Sequence, residues 1–278
     1  AHLYQRALLA ARHALSAGDL PAAELITISI KLAESLRITG ELALARGVLH
    51  EAELWGEQGP RLSALLLRAS GQLAAAENEP SAAIPHLQRS VGAAIATGES
   101  DLIAETYLDL AAVLIRVGKG PAARRELEEA IDMVTLGEGP TSPRAPRNLW
   151  RLTLKLAQLA VTDQDLPRAV ELGELTLAQA QRTGARAGAA RVQSLLASCH
   201  ERLGDHIRAD RHRRAAVEEL RKMGDRRGTA ELLLYGTGPG RTLMRISPEV
   251  LREARELAIE VGWTEGEERA RSAVNDGR

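Results

Sequence analysis

The chain has 278 residues with 36 basic and 37 acidic side chains, a formal charge of -1, so no net field draws the whole molecule onto nucleic acid or an anionic membrane. Hydrophobic residues make up 45%, aromatics 2%, and Phe is absent; the core must be Leu, Ile, Val and Ala packed between helices, which disfavours a β-sandwich or barrel. A single cysteine, Cys199, excludes an internal disulfide, and residues 1–55 hold no apolar run long enough for a signal peptide or a membrane span. A cytoplasmic protein, or a segment of a longer one, is expected.

Along the chain a short helix-breaking turn recurs, followed four residues later by alanine in a new apolar helix. It reads Gly18-Asp19 with Ala23, Gly40-Glu41 with Ala45, Asn78-Glu79 with Ala83, Gly118-Lys119 with Ala123, Gln164-Asp165 with Ala169, and Gly204-Asp205 with Ala209. Successive turns are spaced by roughly 22, 38, 40, 46 and 40 residues, the period of helical-hairpin repeats. The first step is too short for a hairpin, so the helix from about Ala22 to Arg37 is expected to close one unit and open the next. Gly or Asn can take the left-handed conformation that ends a helix, and Pro21, Pro80, Pro121 and Pro167 suit the start of the following one. The alanine marks a close helix crossing.

Two segments interrupt this pattern. Residues 137–146 (GEGPTSPRAP) form a helix-stopping loop that accounts for the longest step and offers Thr141 and Ser142 as phosphorylation candidates. The repeat array spans 1–234, a Gly/Pro linker covers 235–246, and residues 247–278 hold two further helices, the first capped by Ser247-Pro248-Glu249 and the second led in by Gly262-Trp263. Their polar character predicts a terminal cap that keeps apolar repeat surface from water.

From Leu102 to Val134 the pattern Ala104, Tyr107, Leu110, Ala111, Leu114, Gly118, Ala123, Leu127 and Ala130 resembles the tetratricopeptide (TPR) repeat. So do Leu196, Ala197, Gly204, Asp205, Ala209 and Ala216, and Gly71, Ala83 and Leu87 around Asn78. The likeness covers Leu3 to Met223, with a period nearer 40 than the usual 34 and with Phe and most Tyr missing. HEAT or armadillo arrays share that period. The resemblance implies an all-α, right-handed superhelical solenoid of antiparallel helix hairpins. Its long units look like those in the C-terminal regions of bacterial Ser/Thr kinases and ATPase-type transcription regulators.

Catalytic and metal chemistry find little support in the sequence. The GTGPG of residues 236–240 lacks the strand and the GK[ST] ending of a phosphate loop. Cys199, His200 and Glu201 are sequence neighbours that point about 100° apart on a helix, and Cys199 is expected in the core. His206 and His212 are six apart, not at zinc-binding helical spacing. In the basic run 206–214 (HIRADRHRR), with Arg221, Lys222, Arg226 and Arg227 beyond it, interleaved acids predict an ion-paired face rather than a nucleic-acid surface. No enzyme activity, cofactor or metal is expected.

In TPR proteins the first helices line a concave groove. Carrying that geometry over places Arg12, Glu34, Arg37, Arg68, Gln72, Glu105, Arg116, Arg151, Gln158, Arg191, Ser194, Glu201 and Arg202 in it. A guanidinium grips carboxylate or phosphate bidentately, so the expected partner is a protein or peptide segment, acidic or phosphorylated. Three Asn in the whole chain argue against the Asn- and Lys-based clamp of some family members. Of the aromatics Tyr4, Trp55, Tyr107, Trp150, Tyr235 and Trp263, Trp55 and Trp150 are the candidate exposed anchors, whereas Tyr107 fits a core position. The sequence therefore predicts a protein-interaction scaffold or regulatory module. The alternatives are a ligand- or peptide-sensing domain controlling an attached effector, and self-association through the array ends.

Overall fold

The computed structural model describes residues 6, 9, 22–55, 59–136, 147–234 and 248–276. Among them are thirteen helices and no strand: α1 (Ala22–Ile38), α2 (Leu42–Glu53), α3 (Pro60–Ala76), α4 (Pro80–Ile95), α5 (Ser100–Arg116), α6 (Gly120–Leu136), α7 (Leu149–Thr162), α8 (Leu166–Arg182), α9 (Arg186–Arg202), α10 (His206–Met223), α11 (Arg226–Leu233), α12 (Pro248–Glu260) and α13 (Thr264–Asp276). They fall into two compact units, Ala1–Leu152 and Thr153–Arg278.

One turn design accounts for the hairpins in both units. Gly40, Gly118 and Gly204 have positive φ, as do Asn78 and Gln164, which pay the steric cost that glycine avoids. The reversal lets the next amide reach back to a carbonyl one turn inside the helix: Glu41 N to Leu36 O at 2.8 Å, Glu79 to Ala74 at 2.9 Å, Lys119 to Leu114 at 2.8 Å, Asp165 to Ala160 at 2.9 Å and Asp205 to His200 at 2.9 Å. Asp165 and Asp205 then cap the following helix, their Oδ1 accepting from the amides of Arg168 and Arg208. The alanine after each of these five turns, Ala45, Ala83, Ala123, Ala169 and Ala209, is 0% exposed. The sixth turn, at Gly18, lies outside the described residues, as does the loop 137–146.

Gly98, Gly184, Gly224 and Gly262 also have positive φ, a second set of turns that the alanine pattern did not mark. The first three join one hairpin to the next, and the residue five places on, Ile103, Ala189 or Thr229, is buried in each case.

In the first unit α1–α2, α3–α4 and α5–α6 are hairpins, and α3 packs on both α1 and α5. The helix predicted to be shared between two repeats is α1, and it pairs with α2 as a first helix. Gly71 shows how tightly α3 meets α4: a Cβ there would lie 2.6 Å from Leu87 Cγ. The second unit runs α8 to α13 with each helix packed on its predecessor from α9 onward. Ala230 and Leu234 at the end of the repeats are buried in one cluster with Leu251, Ala254, Ala258, Trp263 and Ala270 of the last two helices.

Candidate functional site

The groove-lining prediction is best followed one unit at a time. In the first unit, α1, α3 and α5 present Glu34, Arg37, Arg68, Gln72, Glu105 and Arg116. Arg68 spans from α3 to α5, donating through Nη1 to Glu105 Oε2 and through Nε to Asp109 Oδ2, both at 2.5 Å, with its side chain 21% exposed. Gln72 Nε2 donates to the same Asp109 oxygen at 2.7 Å. Burial disfavours the charged guanidinium, but Asp109 and then Glu105 outweigh it and raise the Arg68 pKa above its usual value. Arg68, one rung of the predicted ladder, is therefore committed to holding two first helices together. Asp109, which sequence reasoning missed, is the acceptor at the centre; its place one turn after Glu105 on the same helix face was the available signal.

Beside this network lies a hollow of about 410 Å³, bordered by Arg37, Gln72, Asp109 and Arg116 with a small apolar floor of Ala75, Ala76 and Val113. Three predicted groove residues, from three different first helices, thus meet at one place. Among the described residues, neither the Arg37 nor the Arg116 side chain has an ion-pair or hydrogen-bond partner, and Arg37 Nε is buried without an acceptor. A buried donor left unsatisfied costs about 1–3 kcal/mol, more when charged. Glu34 is exposed on α1, and Arg12 lies outside the described residues. Arg151, at the end of the first unit, donates to Asn148 Oδ1 at 3.3 Å.

In the second unit the predicted positions are occupied differently. Arg202 Nη2 donates to Gln164 Oε1 at 2.7 Å, Glu201 pairs with Arg213 at 3.2 Å, and the Ser194 hydroxyl donates to its own helix at Ala190 O. Gln158 and Arg191 are exposed. A hollow of about 350 Å³ lies between α8, α9 and α10, bordered by Arg186, Gln193, Glu218 and Glu219.

Below α9 sits a pair absent from the sequence expectations. The rings of His200 and His212 stack at 5.3 Å between centroids and 3° between planes. His200 is 3% exposed with Nε2 unpartnered, while His212 Nδ1 lies 2.6 Å from Gln193 Oε1. Burial, then the neighbouring His200, lowers the His212 pKa and favours the neutral form of that ring. Cys199 is fully buried and burial raises its thiol pKa, the opposite of an activated nucleophile. Among the described residues no three His, Cys, Asp or Glu side chains gather as a metal site.

The basic run is laced with ion pairs: Arg208 to Asp205 at 3.3 Å, Arg214 to Asp210 at 2.6 Å, Lys222 to Glu218 at 2.8 Å, Arg221 to Glu253 at 2.5 Å and Arg227 to Glu231 at 2.8 Å. Trp55 packs partly buried against the α1–α3 core, Trp150 is half-buried, Tyr107 is buried, and Trp263 is buried beneath the guanidinium of Arg227, 5.0 Å from its ring. Tyr4, Tyr235, Ser247 and the GTGPG segment lie outside the described residues. No described helix is long and apolar enough to cross a membrane.

No family's sequence profile matches the chain, and no curated protein does. Its architecture does have counterparts among solved structures. BtubC (BKLC) from P. vanneervenii superposes with a TM-score of 0.69 at 18% identity, over 80% of this chain and 90% of that one. A Rap protein complexed with Competence and Sporulation Factor gives 0.60 at 11% identity, over 91% and 76%. A signal-transduction ATPase with numerous domains (STAND) and a tetratricopeptide repeat sensor, from Pyrococcus horikoshii, gives 0.65 at 13% identity, over 91% of this chain but 39% of that one. The fold of this chain is accordingly that of the TPR-like helical repeat proteins.

Proposed function

We propose that this protein is an interaction scaffold or regulatory module, part of a larger bacterial signalling protein, which holds a segment of a partner on the first-helix face of its first unit. The observation that carries the reading is the hollow where α1, α3 and α5 place Arg37, Gln72, Asp109 and Arg116 side by side. Peptide recognition needs a rigid frame, and the Arg68 bridge to Glu105 and Asp109 supplies one at its edge. We read the module as non-catalytic: burial raises the thiol pKa of the one cysteine, and His200 and His212 are stacked on each other. In this reading α12 and α13 serve as a terminal cap, since Trp263 and Leu251 cover Ala230 and Leu234.

A second reading, a sensing domain that relays a bound peptide or small ligand to an attached kinase or transcription regulator, draws support from its likeness to a Rap protein solved with Competence and Sporulation Factor and to a STAND protein's repeat sensor. Both readings use the same face.

A photo-crosslinking amino acid placed at Gln72, on the first-helix face, or at exposed Arg89, on second helix α4, tests the proposal in extract from the native cell. The same protein should be crosslinked and identified repeatedly from position 72 and not from 89. Equal labelling from both positions, or none from 72, would contradict it.

A further inference from the structure

The hollow of the first unit also carries information about the chemistry of what fills it. We infer that it is a subsite for one carboxylate side chain, Asp or Glu, of a bound protein segment, gripped between Arg37 and Arg116; this rests on the partner-binding reading above.

Three observations converge. Arg37 and Arg116 border the hollow without side-chain partners among the described residues, although this chain pairs many of its other arginines. Arg37 Nε is buried without an acceptor, so no bond holds the side chain in its present rotamer, and a turn about its last torsions would present an Nε–Nη edge to the hollow. Finally, the local charge selects the ligand. The charged side chains that line the hollow are Arg37, Arg116 and Asp109, and beside it Arg68 is offset by Glu105, leaving one positive charge. A single carboxylate neutralises that excess. A phosphate dianion would overshoot it and would lie near Asp109, which borders the same space. The alanines of the floor accommodate the methylene stem of Asp or Glu without a polar group left facing them.

The probe is a displayed random library of twelve-residue peptides, selected in parallel against the wild-type protein, Arg37→Gln and Arg116→Gln. Arg116 is exposed, so its variant keeps the fold even if the half-buried Arg37 variant loses stability; melting curves of all three verify this. Wild type should select peptides with Asp or Glu fixed at one position, and each variant should lose that preference and bind the resynthesised winners about tenfold more weakly. Replacing the fixed acid by phosphoserine should weaken binding. Peptides selected without a fixed acid, an acid preference that survives in both variants, or tighter binding of the phosphoserine peptide overturns the carboxylate assignment while leaving the groove in use. If wild type selects no peptides at all, the partner-binding reading itself fails, and this inference with it.

Discussion

The two units use one hairpin design and treat its solvent face in opposite ways. Counting back from a hairpin turn, Arg116 stands two residues before Gly118 and Arg37 three before Gly40, and neither side chain has a partner among the described residues. At the same two places before Gly204 stand Arg202, bonded to Gln164, and Glu201, paired with Arg213. Ten residues before the turn, Arg68 bridges two helices, whereas Ser194 turns back onto its own. Packing demands fix the turn and the alanine, and they leave these outward positions free to vary. The same scaffold can thus carry an open cationic hollow in one unit and, at the matching positions of the other, side chains bonded within the unit.

The shared part of that comparison breaks most easily at the crossing alanines. Ala123→Leu in the first unit and Ala209→Leu in the second should each cost about 1–3 kcal/mol by overpacking, read as a lowered melting temperature; a cost in one unit only would mean that the two crossings are not alike. The divergent part is tested by Asp109→Ala, which removes the acceptor of Arg68 and Gln72 and should cost about 1–3 kcal/mol because both donors are half-buried. Arg116→Ala, without a partner to lose, should change stability by less than about 0.5 kcal/mol. Equal costs for the two would erase the distinction between a structural and an available side chain.

A pH effect belongs to the second unit. Folded His212 has a pKa below the 6.5 of the unfolded chain, because of burial and then His200, with Arg211 and Arg208 adding to the effect and Glu174 opposing it. The unfolded state therefore binds the proton first as pH falls through 6.5 toward the folded value, and stability is lost across that window while remaining level above it. His212→Gln should show a smaller drop in melting temperature between pH 7.5 and 5.5 than wild type; an unchanged drop would show that His212 is not held neutral.

Much of the fold was legible because packing writes it into residue types. Gly118 with Ala123, and Gly204 with Ala209, announce a left-handed helix end and a close crossing, and apart from Gly118 at the turn the residues laid against the TPR pattern from Ala104 to Ala130 are buried. Gly98 and Gly184 turn the chain just as sharply; after Gly98 the place of the alanine is taken by Ile103, whereas Ala189 after Gly184 does fit the spacing and sequence reasoning missed it. The site was harder to read. The TPR resemblance named Arg37, Gln72 and Arg116, but nothing local could tell that Arg68 would find Asp109 across 41 positions of sequence while Arg37 found no acceptor. Long-range pairing of flexible side chains depends on which helices become neighbours, as does the stacking of His200 on His212.

The most direct measurement is the arginine Nε–Hε NMR spectrum of the intact protein, titrated with an acidic peptide selected from the library. The account predicts that the Arg37 and Arg116 signals shift together and saturably, that Arg68 changes little, and that Arg202 does not move. Shifts confined to Arg202 or other second-unit arginines, or a saturable binding event that leaves Arg37 and Arg116 in place, would contradict it.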